Sequence, residues 1–249
     1  MSSDSEIRTL FAGAADAYGF SLCELQLDQL VRYVAMTMSW GRIANLTGAN
    51  SALVFAREQV IDCLAVVPHA GEGRLLDVGS GNGLPGVVLA IALPALSVTL
   101  LEPRAKRARF LTQVRIELAL DNVEVVCARV EDHHPHHTYD TVLSRAFGAL
   151  SEFYKASRAL CGIHTRLLAM KAYLEPTELA DCGLPSADLC CIPLAVPGYN
   201  ERHLVVIEAS ATADGFVPYS GGPRPSPHPW IFHPQPTVGH SDVTRSRHC

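Results

Sequence analysis

No two cysteines in this chain stand in the Cys-x-x-Cys spacing of a zinc site or redox motif, and the eight of them (Cys23, Cys63, Cys127, Cys161, Cys182, Cys190, Cys191, Cys249) form no disulfide framework. They are expected to be small buried apolar residues in a reducing cytoplasm. An excess of positive charge is also missing: 20 Lys and Arg against 25 Asp and Glu leave a net charge of −5. The net charge does not advertise a nucleic-acid binder and does not exclude one either, because what matters is a local basic patch. The first residues, Met1-Ser2-Ser3-Asp4-Ser5-Glu6, lack the basic start of a secretory or mitochondrial leader. An unbroken apolar span is absent too. The uncharged run from Leu84 to Leu101 has about the length of a membrane helix. Pro85 and Pro94 interrupt it, so it reads as a short buried helix, a turn and a buried strand of a protein outside the membrane. The histidines His133, His134, His136 and His137 are broken up by Pro135 and have no acidic or cysteine partner at a fixed offset, so they are expected to be solvated, with no metal.

What the chain does have is Leu75-Leu76-Asp77-Val78-Gly79-Ser80-Gly81-Asn82-Gly83-Leu84-Pro85-Gly86, followed by Val98-Thr99-Leu100-Leu101 and Glu102. This predicts a strand, a glycine turn, a helix and a second strand that presents a carboxylate. Glycine at alternate positions lets the backbone turn sharply and approach a nucleoside, and the helix that follows offers free N–H groups. Glu102 can accept two ribose hydroxyls. Gly81-x-Gly83-x-x-Gly86 also satisfies a dinucleotide fingerprint, a pattern with many false positives. Asp77-x-Gly79 precedes it, however, so the strand ends before the fingerprint begins. The Asp-x-Gly-x-Gly spacing favours S-adenosylmethionine over NAD, because a carboxylate near the turn can hold the methionine ammonium and no pyrophosphate has to be cradled.

With 249 residues the chain can hold one α/β domain and an added segment. Residues 1–70 read as a helical N-terminal segment, with Leu22, Leu25, Leu30, Tyr33, Val34 and Met38 at helical spacing. Residues 71–208 read as the cofactor-binding domain. In it the runs Leu75–Val78, Val98–Leu101, Val123–Cys127, Thr141–Leu143 and Arg166–Met170 are candidate strands alternating with helices. That alternation predicts a mainly parallel sheet covered on both faces, closed by the strand His203–Ile207. Residues 209–249, rich in Pro, Gly, Ser and His, read as a disordered tail.

Several blocks in order resemble the small-subunit ribosomal RNA methyltransferase G family, also called the glucose-inhibited division protein B family. They are Trp40 with Asn45-Leu46-Thr47; the glycine block; Lys106-Arg107-x-Arg109-Phe110-Leu111; Arg129-Val130-Glu131; Ser144-Arg145-Ala146-Phe147; Lys171; and Glu201-Arg202-His203-Leu204-Val205-Val206. The glycine block alone indicates only a methyltransferase, whereas the Gly-Leu-Pro-Gly, Ser-Arg-Ala-Phe and Glu-Arg-His-Leu-Val-Val blocks together are close to diagnostic. The resemblance implies a class I S-adenosylmethionine-dependent methyltransferase of Rossmann-like α/β fold, acting in the cytoplasm as a monomer on N7 of a guanine in 16S ribosomal RNA or the small subunit. It implies a cofactor around Gly79, Gly81 and Leu84, with Val130 and Glu131 beside the adenine and Arg145 near the methionine end. It makes Arg129 and Arg202 the candidates that position the base, supported by Lys106 and Lys171.

Guanine N7 has an in-plane lone pair and no proton, so the reaction needs orientation rather than a general base. Arginine suits that task, since guanine O6 and N7 are both acceptors. Arg104, Lys106, Arg107, Arg109 and Arg115 crowd one predicted helix, either as a solvated face or as a phosphate-contacting patch. Departures from the family pattern also occur. Glu58-Gln59 stands where Arg-His is usual before an Ile-Leu-Asp-Ser run, here Val60-Ile61-Asp62-Cys63, and Ala172 follows Lys171 in place of glycine. The acid ending the second strand is Glu102 rather than Asp. These departures keep open a methyltransferase of the same fold acting on another RNA or a small molecule, and a cofactor-binding ribosome-assembly factor without turnover.

Overall fold

Apolar runs that are buried on both sides pair best as central parallel strands, and the computed structural model, which describes residues 3–44, 46–175, 177–183, 188–199 and 201–208, forms its sheet from them. Two long helices come first, α1 (Ser3–Ala17) and α2 (Glu24–Ala44). Then α3 (Ala52–Phe55) runs through a π-helical turn, Ala56–Val60, into α4 (Ile61–Leu64). The alternating part follows: β1 (Arg74–Val78), α5 (Gly86–Ala92), β2 (Ser97–Leu101), α6 (Ala105–Glu117), β3 (Val123–Val126), β4 (Tyr139–Arg145), α7 (Leu150–Ser157), β5 (Cys161–Lys171) and α8 (Glu178–Asp181). Two last strands, β6 (Leu189–Pro193) and β7 (His203–Glu208), complete a seven-stranded sheet in the order β3-β2-β1-β4-β5-β7-β6. The first five strands in that order are parallel, while β7 runs antiparallel to both β5 and β6. Strand order reverses between β1 and β4, which opens the crevice at the carboxyl ends where α/β sheets take their ligands.

Period-two alternation divides the core. Leu75, Leu100, Leu143, Leu168 and Leu204 face one side, where they join Phe11, Leu30, Tyr33, Phe55, Leu64, Leu89 and Phe110. The N-terminal helices, α5 and α6 therefore share one apolar cluster with the sheet. Leu76, Val142, Leu167, Val205 and Ile207 face the other side and meet Leu150 and Phe153 of α7. Burying this much apolar area on both faces supplies the main stabilisation of the sheet.

Three expectations need correction. The buried face of α2 is Leu27, Leu30, Tyr33, Val34 and Thr37; Leu22 precedes the helix and Leu25 is 65% exposed. Helical spacing defines a stripe, but packing against α5 and α6 selects which stripe is buried. Strand β6, with sequence Leu-Cys-Cys-Ile-Pro, is not among the candidate runs. It is a short, half-exposed edge that owes its extended form to pairing with β7. The cysteines are not uniformly buried. Cys63 and Cys182 are, whereas Cys23, Cys127 and Cys190 are exposed, because they sit before a helix, at a strand end and on the sheet edge.

All seven cysteines in the described residues are free thiols. The run Leu84–Leu101 is α5, a turn and β2, and among the described residues no helix is long and apolar enough to cross a membrane. His134, His136 and His137 are exposed, and His133 Nε2 lies 2.9 Å from the Tyr139 hydroxyl. Among the described residues no three His, Cys, Asp or Glu side chains group as metal ligands. The expected tail and Asn45 lie outside the described residues.

Candidate active site and cofactor cradle

The chain leaves β1 at Val78 and turns at Gly79, whose φ of +72° is strained for any residue with a side chain. The N–H groups of Gly79 and Ser80 both donate to the Leu101 carbonyl, at 2.8 and 3.0 Å, which ties the turn to the end of β2. A Cβ at Gly79 would meet nothing within 4 Å, so the backbone faces open space there. At the far side of the turn, Gly86 opens α5. A Cβ at Gly86 would stand 2.3 Å from Leu100 Cδ2 and 2.6 Å from Asp77 Oδ2, so glycine is what lets the helix start seat against the sheet.

Asp77 is 1% exposed. Its Oδ2 accepts the Gly86 N–H at 3.0 Å, while Oδ1 is buried without a hydrogen-bond partner among the described residues. Burial raises its pKa to about 7, against the opposing pull of the Gly86 N–H, Ser80 and the Arg145 charge. Glu102 is also buried. Its two oxygens accept the Gly81 N–H at 2.8 Å and the Arg104 N–H at 2.9 Å, so β2 holds the glycine turn through a carboxylate that keeps lone pairs to spare. Asn82 anchors the turn from the other side: its carbonyl accepts the Tyr33 hydroxyl at 2.8 Å and its amide donates to the Leu46 carbonyl at 3.1 Å.

Every residue expected at the site lies at the carboxyl rim of the parallel strands or in a segment that begins there. Gly79, Gly81 and Leu84 follow β1, Glu102 and Lys106 follow β2, and Arg129, Val130 and Glu131 follow β3. Arg145 ends β4 and Lys171 ends β5, where it pairs in register with His203, so Arg202 enters at the same rim. Their environments differ. Lys106, Arg129 and Glu131 are exposed, Val130 is half-buried against the second apolar cluster, and Leu84 is buried. Helix α6 buries Ala108, Phe110, Leu111 and Val114 and leaves Arg109 and Arg115 exposed. Lys171 is committed: its ammonium donates to Glu178 Oε1 at 2.6 Å and to the Gly148 carbonyl. Arg202 is also held internally, with Nε 3.4 Å from Asp62 Oδ1 and its guanidinium carbon 3.7 Å from the Tyr199 ring centroid.

Sequence reasoning missed the residues that hold the others. Gln59 marks a lost cation in the sequence. In the fold, its carbonyl accepts from Arg145 Nη2 at 3.4 Å and its amide donates to Thr47 Oγ1 at 3.1 Å. It sits in the π-helical turn, a form that recurs at functional sites. Tyr199 carries no signal beyond being aromatic, and Tyr33 only the helical spacing of an apolar stripe. Asp62 does carry one: a carboxylate inside the apolar run Val60-Ile61-Asp62-Cys63-Leu64 has to be buried with a partner.

The cradle suits S-adenosylmethionine. The unpartnered Asp77 Oδ1 matches an ammonium, the Arg145 guanidinium matches a carboxylate, and Glu102 ends the strand where ribose hydroxyls are read. A dinucleotide fits less well, because Asp77 already takes the first N–H of α5 that a pyrophosphate would need. Residues 26–205 match the model of a protein family described as rRNA small subunit methyltransferase G, GidB. The chain belongs to this methyltransferase G family. It is 41% identical over 202 residues to the Ribosomal RNA small subunit methyltransferase G of Pseudomonas paraeruginosa, covering 80% of this chain and 94% of that one. The family member of Methylobacillus flagellatus is 40% identical over 183 residues, covering 73% of this chain and 88% of its own. Among solved structures, the apo S-adenosylmethionine-dependent methyltransferase SibL shares the fold. The TM-score is 0.53 at 17% identity, covering 75% of this chain and 74% of that chain.

Proposed function

We propose that this chain is an S-adenosylmethionine-dependent methyltransferase acting on N7 of a guanine in 16S, small-subunit, ribosomal RNA. The observation that carries the reading is the shared rim. The strand ends of a methyltransferase G family member bring the Asp77, Glu102 and Arg145 cradle to the same edge as the exposed Lys106 and Arg129. S-adenosylmethionine, when bound, supplies an electrophilic methyl group on sulfonium. Asp77 and Arg145 hold the ammonium and carboxylate ends of the methionine, and Glu102 the ribose. The backbone of Gly79, Gly81 and Leu84 lines the cradle, and Val130 with Glu131 reads the adenine edge. Arg129 and Arg202 orient the guanine through its O6 and the flanking phosphates. Lys106 adds charge at the rim, and Lys171 braces it from behind through Glu178 and Gly148. No residue has to act as a base, because N7 carries no proton; the chain's task is alignment and exclusion of water. A target inside folded RNA has to be unstacked to reach this crevice. The reading carries with it a monomeric enzyme in the cytoplasm, where small ribosomal subunits are assembled.

The test is transfer of a labelled methyl group from S-adenosylmethionine to ribosomal RNA and small subunits from cells lacking the modification, with the product nucleoside identified by mass spectrometry. The expected product is 7-methylguanosine, lost in Arg129→Ala and Arg202→Ala. Cofactor binding with no label on the RNA would move the substrate to another RNA or a small molecule. Binding to small subunits without transfer would make the chain an assembly factor.

A further inference from the structure

An arginine that meets a polymeric substrate is usually extended and solvated, yet the Arg202 side chain is only 18% exposed. It is held on three sides. Nε faces Asp62 Oδ1 at 3.4 Å, a separation at which both atoms are buried and neither completes a hydrogen bond. One face of the guanidinium lies over the Tyr199 ring, 3.7 Å from its centroid, within cation–π range. Nη1 donates to the Glu201 carbonyl at 2.9 Å and the Ala172 carbonyl at 3.4 Å. Among the described residues no hydrogen bond reaches Nη2. The guanidinium thus retains, in a fixed plane, a donor nitrogen that no described residue takes. Such a donor can read the O6 or N7 edge of guanine.

The two holding groups come from parts of the chain far apart in sequence. Asp62 belongs to α4, in the N-terminal layer, and Tyr199 to the segment between β6 and β7. Asp62 is 8% exposed, and burial raises its pKa while the Arg145 and Arg202 charges oppose the rise. Its carboxylate therefore stands under the electrostatic influence of two site arginines. A buried carboxylate is costly in an apolar helix unless it is paired, so its presence there calls for the cation. Packing alone is served by an apolar residue at this position.

We propose that Asp62 and Tyr199 are positioning residues that hold the Arg202 guanidinium in one orientation for the substrate guanine. The inference rests on the reading of Arg202 as a base-orienting residue. Asp62 fixes the Nε edge and Tyr199 fixes the plane, so the conformational cost of ordering a long side chain is met before RNA arrives.

The test is a set of double-mutant cycles around Arg202 with two readouts: binding of a 16S fragment without cofactor, and kcat and KM for RNA and for S-adenosylmethionine. Tyr199→Phe keeps the ring and is expected to behave as the parent. Tyr199→Leu and Asp62→Asn are each expected to lower kcat/KM for RNA about ten-fold and to weaken binding of the fragment, with KM for S-adenosylmethionine unchanged. In an Arg202→Ala background neither substitution should have a further effect, since the group they position is gone. A purely structural role predicts the opposite: losses that persist in that background. Persistent losses, or parent-like values for both Tyr199→Leu and Asp62→Asn beside a damaged Arg202→Ala, overturn the inference alone. An Arg202→Ala enzyme indistinguishable from the parent overturns it together with the role assigned to Arg202. If Asp62→Asn does not fold, Tyr199→Leu against Tyr199→Phe decides by the same criteria.

Discussion

Asp77 combines two roles that draw in opposite directions with pH. One oxygen secures the first turn of α5, and the other is buried and unpartnered. Burial lifts its folded-state pKa from the ordinary 3.8 to about 7. The folded chain thus keeps a proton that the unfolded chain has released, and the stability from this group is full below about pH 4 and lost as pH rises through about 7. Comparing thermal midpoints of the parent and Asp77→Asn between about pH 5 and pH 8 should show the parent declining more steeply. Binding of S-adenosylmethionine, for which the ionised carboxylate is proposed to face the ammonium, should strengthen over the same interval in the parent and stay flat in Asp77→Asn. Calorimetric titration at several pH values checks it. Among single residues the cradle is legible from sequence, because Asp77-x-Gly79 and Glu102 lie in one short stretch with a recognisable spacing. Gln59 and Tyr33 are not, since each acts on a partner distant in the chain, and Tyr199 is not, since nothing in its spacing says that its ring turns onto Arg202 three residues on.

Among elements, α2 makes the connection between the N-terminal layer and the cofactor turn. Tyr33 is fully buried and its hydroxyl satisfies the Asn82 carbonyl, while Asn82 reaches back to Leu46. Tyr33→Phe leaves that buried carbonyl without its partner and should cost about 1–3 kcal/mol of stability, measured by denaturant unfolding. Cofactor affinity should fall with it, because the carbonyl belongs to the turn that forms the cradle. The parallel strands are legible as elements because burial on both faces writes them as continuous apolar runs. Edge strand β6 carries no such run and takes its form from β7. Helical spacing in residues 22–38 marks a helix correctly but not its rotation, which α5 and α6 decide.

Taken whole, a chain with net charge −5 is proposed to bind RNA through a local patch. Lys106 and Arg109 are exposed on the helix that starts beside Glu102. Replacing both with Ala should weaken RNA binding and flatten its salt dependence, by about 0.7 in log–log slope for each phosphate no longer neutralised. Filter binding across a salt series measures it; an unchanged slope would make α6 a solvated face and no more. Ending the chain after residue 208 should leave methyl transfer intact, since the family match stops at residue 205 and the last strand among the described residues ends at Glu208. Loss of transfer in that truncated chain would bring residues 209–249 into the functional unit. Fold class, the glycine turn and its acidic partners are legible in the linear order of residues, because they are written in local spacing and in period-two or helical periodicity, and the family is legible as a resemblance of whole sequence blocks. Which face of α2 is buried, the commitment of Lys171 to Glu178, and the closure of Asp62 and Tyr199 on Arg202 emerge solely on folding. The difference is one of range: spacing along the chain constrains neighbours within a turn or a strand, whereas a half-buried ion pair between α4 and the residue before β7 exists only once both apolar faces of the sheet have been covered.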